Sequence, residues 1–381
     1  MTPNREDNRF DFLRLVAAWL VLFSHCYPLG ARPGADPLAS TVGIDTLGGV
    51  GISIFFVLSG YLIAQSLERS RSLLDFARRR ALRIYPGLVT ICLLCVLALG
   101  PALTSLPLTD YWRNGMTWSY LRTASAWSIQ YPLPGVFAAN PAANDVNGSL
   151  WSLPYELNCY IVLALASLLP VAMRYKVALA LAALAGALFL RPPVPPTDPF
   201  QIVWGLDYFQ AKLGLLFALG AVFALWSARI QPALWLAAGA LVAAVFVSHT
   251  PARQVLFQLG LGVAVLWLAL HGRFLPKIPA RMGDWSYGAY LYGYPVQQVL
   301  AHFKLHEASF AGYVLACSIV TFALAGLSWH LVEKPALRWK ERTAKAQTRP
   351  LLAAFIEGRA GDAHPPTAEA YVGPTTGERS E

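Results

Sequence analysis

Residues 9–29 read RFDFLRLVAAWLVLFSHCYPL, and from position 12 to 29 the basic side chains inside an otherwise apolar run are Arg14 and His25. Eighteen helical residues rise about 27 Å, close to the hydrocarbon thickness of a bilayer, so the stretch reads as a membrane-spanning helix. Arg14 and His25 are eleven positions apart. At 100° per residue that is three turns plus about 20°, which puts both on one helix face, separated by about 16 Å. An ionisable group inside hydrocarbon is costly unless it meets a partner or a water-filled cavity, which makes His25 a candidate functional residue. In its neutral form an imidazole can take a proton as general base. A histidine reaching for the interface or bonding a helix carbonyl would fit this helix equally well.

The rest of the chain extends the same pattern. Of 381 residues, 56% are hydrophobic and 13% charged, against roughly 25% charged in an ordinary soluble domain. Mean hydropathy is +0.47. This excludes a soluble globular protein, and the long runs exclude an outer-membrane barrel, whose strands would alternate over short segments. The expected fold is all-α, a polytopic helical bundle. About ten transmembrane helices are predicted, over 12–29, 48–67, 81–100, 150–169, 177–190, 206–226, 232–248, 255–270, 286–301 and 310–332, the fifth and eighth being short for a span.

Net charge is +9, and in such a protein its position matters more than its size; it is not taken as a sign of nucleic-acid binding. With the N-terminus inside, the cytoplasmic segments carry Arg5 and Arg9, the cluster from Arg69 to Arg80, Arg174, Lys176, Arg229, Arg273, Lys277, Arg281 and the basic tail from Lys334. The opposite side carries only Arg32, Arg113, Arg122, Arg191, Arg253 and Lys304, in longer loops. The bias predicts both termini on the cytoplasmic side. Residues 341–381 are polar and expected to form a disordered cytoplasmic tail after a membrane domain of residues 1–340. The first span is expected to be retained, since a cleaved signal has no use for Arg14 and His25. The five cysteines are an odd number in apolar stretches, and Cys92 and Cys95, spaced C-x-x-C, read as packing residues.

Five further stretches stand out. FARRRALRIYP carries Arg78, Arg79, Arg80 and Arg83, at least two of which share a helix face and could fork onto phosphate oxygens, although a basic cytoplasmic loop is ordinary in a membrane protein. GGVGISIFFVLSGYLI is a glycine-rich span entry with Ser59 and Gly60 at its centre, suited to close helix packing and to bringing backbone near a substrate. NGSLWSLPYELNCYIVL places Glu156 in an apolar stretch, where a carboxylate needs a cationic or hydrogen-bonding partner, with His25 or an arginine as candidates. SYGAYLYGYP lies in the ninth predicted span, and SWHLVEKP closes the tenth with Glu333 and Lys334, expected at the cytoplasmic surface.

The ordered set resembles the membrane-bound acyltransferase 3 family, bacterial polytopic O-acyltransferases of exopolysaccharide, lipopolysaccharide and related glycans. The likeness runs from residue 9 to about 340 and rests on the Arg14–His25 spacing, the R-x-x-R of Arg80 and Arg83, FFVLSGYLI, SLWSLPYE and SWHLVEKP. It implies a location in the bacterial inner membrane. It also implies an acyl-CoA donor, most often acetyl-CoA, reaching the protein from the cytoplasm, and a glycan or lipid-linked glycan hydroxyl as acceptor. His25 would be the central catalytic residue, as general base or transient acyl carrier, with Arg14 essential and Glu156 orienting His25 or binding sugar. Arg80 and Arg83, with Arg79 and Ser59, would hold the donor. No metal is expected. Many relatives have a histidine where this chain has Gly293, so that role is not carried over. Some relatives have an appended hydrolase-like domain that this chain lacks; either it acts alone or a separate periplasmic partner completes transfer. The loop 101–147, with Trp112, Trp118, Trp127, Tyr131, Asn114, Asn144 and Asn147, is a candidate acceptor surface. The rival reading is a proton-coupled transporter or flippase, which would use buried His and Glu but has no need of coenzyme A.

Overall fold

The computed structural model describes residues 9–190, 207–248, 251–279 and 282–338. The predicted tail and Arg5, Arg191 and Arg281 lie outside them. Among the described residues the secondary structure is helical throughout, with no strand. Ten helices of 13 residues or more fall on the ten predicted segments: α1 (Arg9–Leu29), α2 (Leu47–Glu68), α3 (Leu73–Leu94), α4 (Leu153–Ser167), α5 (Met173–Leu190), α6 (Tyr208–Leu225), α7 (Leu234–Phe246), α8 (Pro251–His271), α9 (Ser286–His302) and α10 (Phe310–Ser328). Seven of the helical segments are long and apolar enough to cross a membrane: α1, α2, α3 with its continuation to Leu103, α5, α6, α8, and α10 with its continuation. The protein is thus a multi-pass membrane protein.

The short helices are α4, α7 and α9, whereas the expected short ones were the fifth and eighth. Both of those start earlier than their apolar runs do. In α8 Pro251 supplies a first-turn proline, whose fixed φ suits helix entry, and the polar residues Arg253 and Gln254 join the helix. In α4 the chain instead winds as a 3₁₀ turn over Gly148–Ser152 before Pro154 starts the α-helix.

Helix entries follow ordinary capping chemistry. Thr46 accepts from the Gly49 amide at 2.9 Å to open α2, Ser72 from Asp75 at 3.1 Å to open α3, and Asp207 from Gln210 at 2.7 Å to open α6. The buried hub is α2 between α1 and α6, with α9 against α1 and α10. Gly60 is what lets α2 and α6 touch: a Cβ there would lie 1.9 Å from the carbonyl oxygen of Phe217, and one at the facing Gly220 would lie 2.0 Å from that of Val57. Backbones approach this closely only where side chains are missing. By contrast α5 and α7 turn Leu179, Leu190, Trp235 and Phe246 outward, as lipid-facing helices do.

Segment 104–152 crosses from α3 to α4 in short turns and is strapped to α9. Asn140 donates to the Gln298 carbonyl at 2.9 Å and to its side chain at 2.7 Å, Gln298 donates back to the Ala142 and Asp145 carbonyls, and Asn147 donates to the Leu291 carbonyl at 2.9 Å.

Candidate active site

The face of α1 that carries Arg14 and His25 opens onto two different cavities. His25 lines one of about 460 Å³, walled by Ser24, Tyr27, Asp36, Asp45, Gly48, Gly49, Ile52, Trp151, Phe209 and Lys212. Its size is in the range of small-molecule sites. The imidazole packs edge-on against the Tyr294 ring at 5.4 Å, and its Nδ1 is buried without a hydrogen-bond partner. Buried polar nitrogens are nearly always satisfied, so an orphan on a cavity wall is poised for a group that enters the cavity.

Polar side chains of this cavity are held by their own network. Asp36 accepts from Ser24 Oγ at 2.6 Å and from the amides of Leu38 and Ala39, capping the short helix Pro37–Thr41. Lys212 on α6 pairs with Asp45 at 2.6 Å, and Gln258 on α8 donates to the same Asp45 oxygen at 3.2 Å. Behind His25, the Tyr294 hydroxyl bonds Asp145, whose carboxyl pKa is raised by burial against the lowering effect of that bond.

The second cavity, about 90 Å³, is lined by Arg14, Arg80, Arg83, Ser59, Glu156, Tyr160, Tyr287 and Tyr290 among others. Here the sequence-predicted Arg14, Arg80, Arg83, Ser59 and Glu156 come together. Arg79 does not: it turns to Asp75, one turn earlier on α3, at 2.6 Å, and is absent from the lining. Positions 79 and 80 are both within one turn of 83, so spacing alone does not exclude Arg79; the i,i+4 carboxylate of Asp75 captures it. Glu156, expected to orient His25 or to bind sugar, lies in the arginine cavity. It accepts from Tyr160, and from Ser59 at 3.5 Å.

Three guanidiniums in a confined space need counter-charge. Arg14 donates to Asp284 Oδ2 at 2.7 Å and Arg83 reaches the same oxygen, while Arg83 also meets Glu333 at 3.4 Å. Glu333, expected at the cytoplasmic surface, is only 2% exposed and accepts from Ser328 at 3.2 Å. Asp284 Oδ1 accepts from both the amide and the hydroxyl of Ser286 at the start of α9. Burial alone would raise the Asp284 pKa, but Arg14, Arg83 and Ser286 hold the carboxyl down at about 2. Arg80 stands apart. Among the described residues it has no ion pair, its Nε is buried without a partner, and it shares the cavity with Glu156 and Tyr160.

Among the described residues, Ile52 on α2 is the one that lines both cavities. Sequence reasoning did not single out Ile52, nor Asp36, Asp45, Lys212, Asp284 or Tyr294. Asp284 had a local signal, a carboxylate two residues before the Ser286 that opens SYGAYLYGYP, but nothing local named its partners. Asn114 caps the helix Gly115–Ser119, Trp118 donates to the Trp112 carbonyl at 2.9 Å, and the aromatic walls beside His25 are Tyr27, Trp151 and Phe209. At Gly293 a side chain would point toward Leu22 and Thr321. No group of metal-ligating side chains occurs among the described residues.

The chain matches the family described as Acyltransferase domain over residues 7–330. It is 30% identical over 334 residues to the O-acetyl transferase of Shigella phage Sf6, which covers 86% of this chain and 96% of that protein. It is 31% identical over 371 residues to nodulation protein 10 of Rhizobium leguminosarum bv. viciae, covering 89% and 96%. With the acyltransferase MdmB of Streptomyces mycarofaciens it shares 27% identity over 344 residues, covering 81% and 85%. No solved structure matches it.

Proposed function

The chain belongs to the acyltransferase-domain family and is an acyltransferase, and from that premise we propose that it moves an acetyl group from acetyl-CoA to a hydroxyl of a cell-surface or exported glycan. One observation carries the reading: an imidazole whose Nδ1 is buried without a partner on one cavity, and on another an arginine that has no ion pair among the described residues, with Ile52 in the wall of both cavities. In this reading the donor enters from the cytoplasm, with both termini on that side and the protein in the inner membrane. Its phosphates bind at the arginine cavity, where Arg80 supplies an uncommitted guanidinium and Arg14 and Arg83, held by Asp284 and Glu333, supply a fixed positive wall. The pantetheine arm then brings the thioester past Ile52 toward His25.

His25 acts as general base. The acceptor hydroxyl gives its proton to the imidazole as its oxygen attacks the thioester carbonyl carbon; the C–O bond forms, the C–S bond breaks, and the coenzyme A thiolate leaves and recovers the proton from the imidazolium. The carboxylates and ammonium of the histidine cavity, beside Trp151 and Phe209, suit a polyhydroxylated ring. Glu156 acts from the donor side, where it accepts from Ser59 and Tyr160. The test is the ester content, by NMR, of surface and exported glycans from a deletion strain carrying wild type or His25→Ala at matched membrane abundance. An ester signal restored by wild type alone supports the reading, and equal restoration by both proteins overturns the role of His25. Acylated enzyme trapped in the absence of acceptor would replace the general-base route by a covalent one.

A further inference from the structure

We propose that Ile52 is the specificity-determining residue for the acyl group, admitting acetyl past the junction of the two cavities and rejecting longer chains. The inference rests on the reading above, in which donor and His25 occupy different cavities. One face of α2 runs through both. Gly48 and Gly49 line the histidine cavity, Phe55, Phe56 and Ser59 the arginine cavity, and Ile52 both. These positions follow the i, i+3, i+4, i+7 spacing of a single helix face, so Ile52 sits on the route between the phosphate-binding and acyl-accepting ends.

Its character suits a fixed partition. Ile52 is 6% exposed and sits in the interior of α2. A β-branched side chain in a helix keeps essentially one χ1 rotamer, so it does not swing aside as a leucine or methionine would. Nor can the helix retreat: a Cβ on the neighbouring Gly51 would lie 2.6 Å from the Ala17 carbonyl of α1, so the two backbones are already in contact. On the histidine side the next turn offers only glycines, which leaves Ile52 as the last bulky group on this face before the reacting centre. Pockets of this kind discriminate between acyl chains by about 10- to 200-fold per methylene.

Permeabilised membranes that contain the natural acceptor and carry wild type, Ile52→Ala, Ile52→Val or Ile52→Phe test this. They are given equimolar acetyl-CoA and butyryl-CoA, and acetyl and butyryl esters on the glycan are counted by mass spectrometry, beside acetyl-CoA binding to each purified protein. Wild type is expected to give acetyl esters almost alone. Ile52→Ala is expected to raise the butyryl-to-acetyl ratio at least about tenfold while still binding acetyl-CoA, and Ile52→Phe to lower both esters while still binding acetyl-CoA. An unchanged ratio in an Ile52→Ala protein that binds acetyl-CoA normally overturns the inference, as does a wild type that transfers butyryl freely. If Ile52→Ala does not fold, Ile52→Val read with propionyl-CoA replaces it, and no shift there has the same force. A wild type that binds no acetyl-CoA and makes no ester overturns the donor reading itself, a result distinct from the loss of selectivity alone.

Discussion

Arg14 on the first helix and Asp284 just before the ninth meet at 2.7 Å across 270 positions of sequence. The same carboxylate oxygen takes Arg83 from the third helix. One aspartate therefore joins three parts of the chain at the arginine cavity, and most of the expected behaviour of variants follows from which arginines it holds.

Asp284→Ala leaves two guanidiniums facing each other, with Glu333 at 3.4 Å from Arg83 the remaining ion-pair partner among the described residues. Removing one member of a buried ion network costs about 3–5 kcal/mol, so this variant is expected to show a markedly lower melting temperature in detergent and little transfer. Asp284→Glu, which keeps the charge, should recover most of both. Thermal unfolding followed by fluorescence-detected gel filtration compares them; equal stability of the Ala variant and wild type would remove Asp284 from this role.

Acid should act through the same group. The Asp284 pKa falls from 3.8 when unperturbed to about 2 in the folded protein, so its contribution to stability is complete above about pH 4. It is lost as pH falls from there toward 2, where the folded carboxylate protonates. Asp284→Asn should be less stable than wild type at neutral pH and should flatten this part of the stability-versus-pH curve, which unfolding midpoints taken between pH 2 and pH 5 would reveal.

The neighbouring arginines should separate cleanly. Arg80→Ala removes an uncommitted charged donor, worth about 1.5–3 kcal/mol in a charge-assisted bond, and is expected to weaken acetyl-CoA binding by about 10- to 100-fold. Arg79→Ala removes a partly exposed i,i+4 pair worth about 0.3–0.5 kcal/mol and should bind acetyl-CoA nearly as wild type does. Calorimetric titration of the purified proteins decides this, and equal losses from both variants would contradict the assignment.

His25→Ala is expected to lower transfer by about 10²- to 10⁴-fold, the range for losing a general base, while acetyl-CoA binding at the arginine cavity persists. A variant that loses binding and transfer together would place the imidazole at the donor instead.

Gly60→Ala puts a methyl group where only 1.9 Å separates it from the Phe217 carbonyl oxygen. Over-packing of this kind costs about 1–3 kcal/mol, and lower yield and melting temperature are expected without any change in acyl selectivity. A variant as stable as wild type would mean that α2 and α6 separate at little cost.

Much of this was legible along the chain. Apolar runs marked ten helices among the described residues, seven of them long and apolar enough to cross a membrane, since continuous hydrophobicity is a property that a window of sequence displays. Helical periodicity put Arg14 and His25 on one face, and Arg80 with Arg83 on another. For Glu156 the same logic called for a cationic or hydrogen-bonding partner and offered His25 or an arginine; Ser59 and Tyr160 hydrogen-bond it, in the cavity that also holds the arginines. That logic failed for Glu333, which reads as a surface residue beside Lys334 but is buried against Arg83.

By itself, then, the sequence determined a helical membrane protein, the positions of its helices and the residue types able to bind phosphate and move a proton, because hydropathy and helix geometry are properties of neighbouring residues. Only the tertiary structure decided that Asp284 and Glu333 claim Arg14 and Arg83 while Arg80 has no ion pair among the described residues, and that His25 and Glu156 line separate cavities that share Ile52. Those choices are made by helices distant in sequence crossing at close quarters, where one carboxylate or one methyl group occupies a space that no local spacing describes.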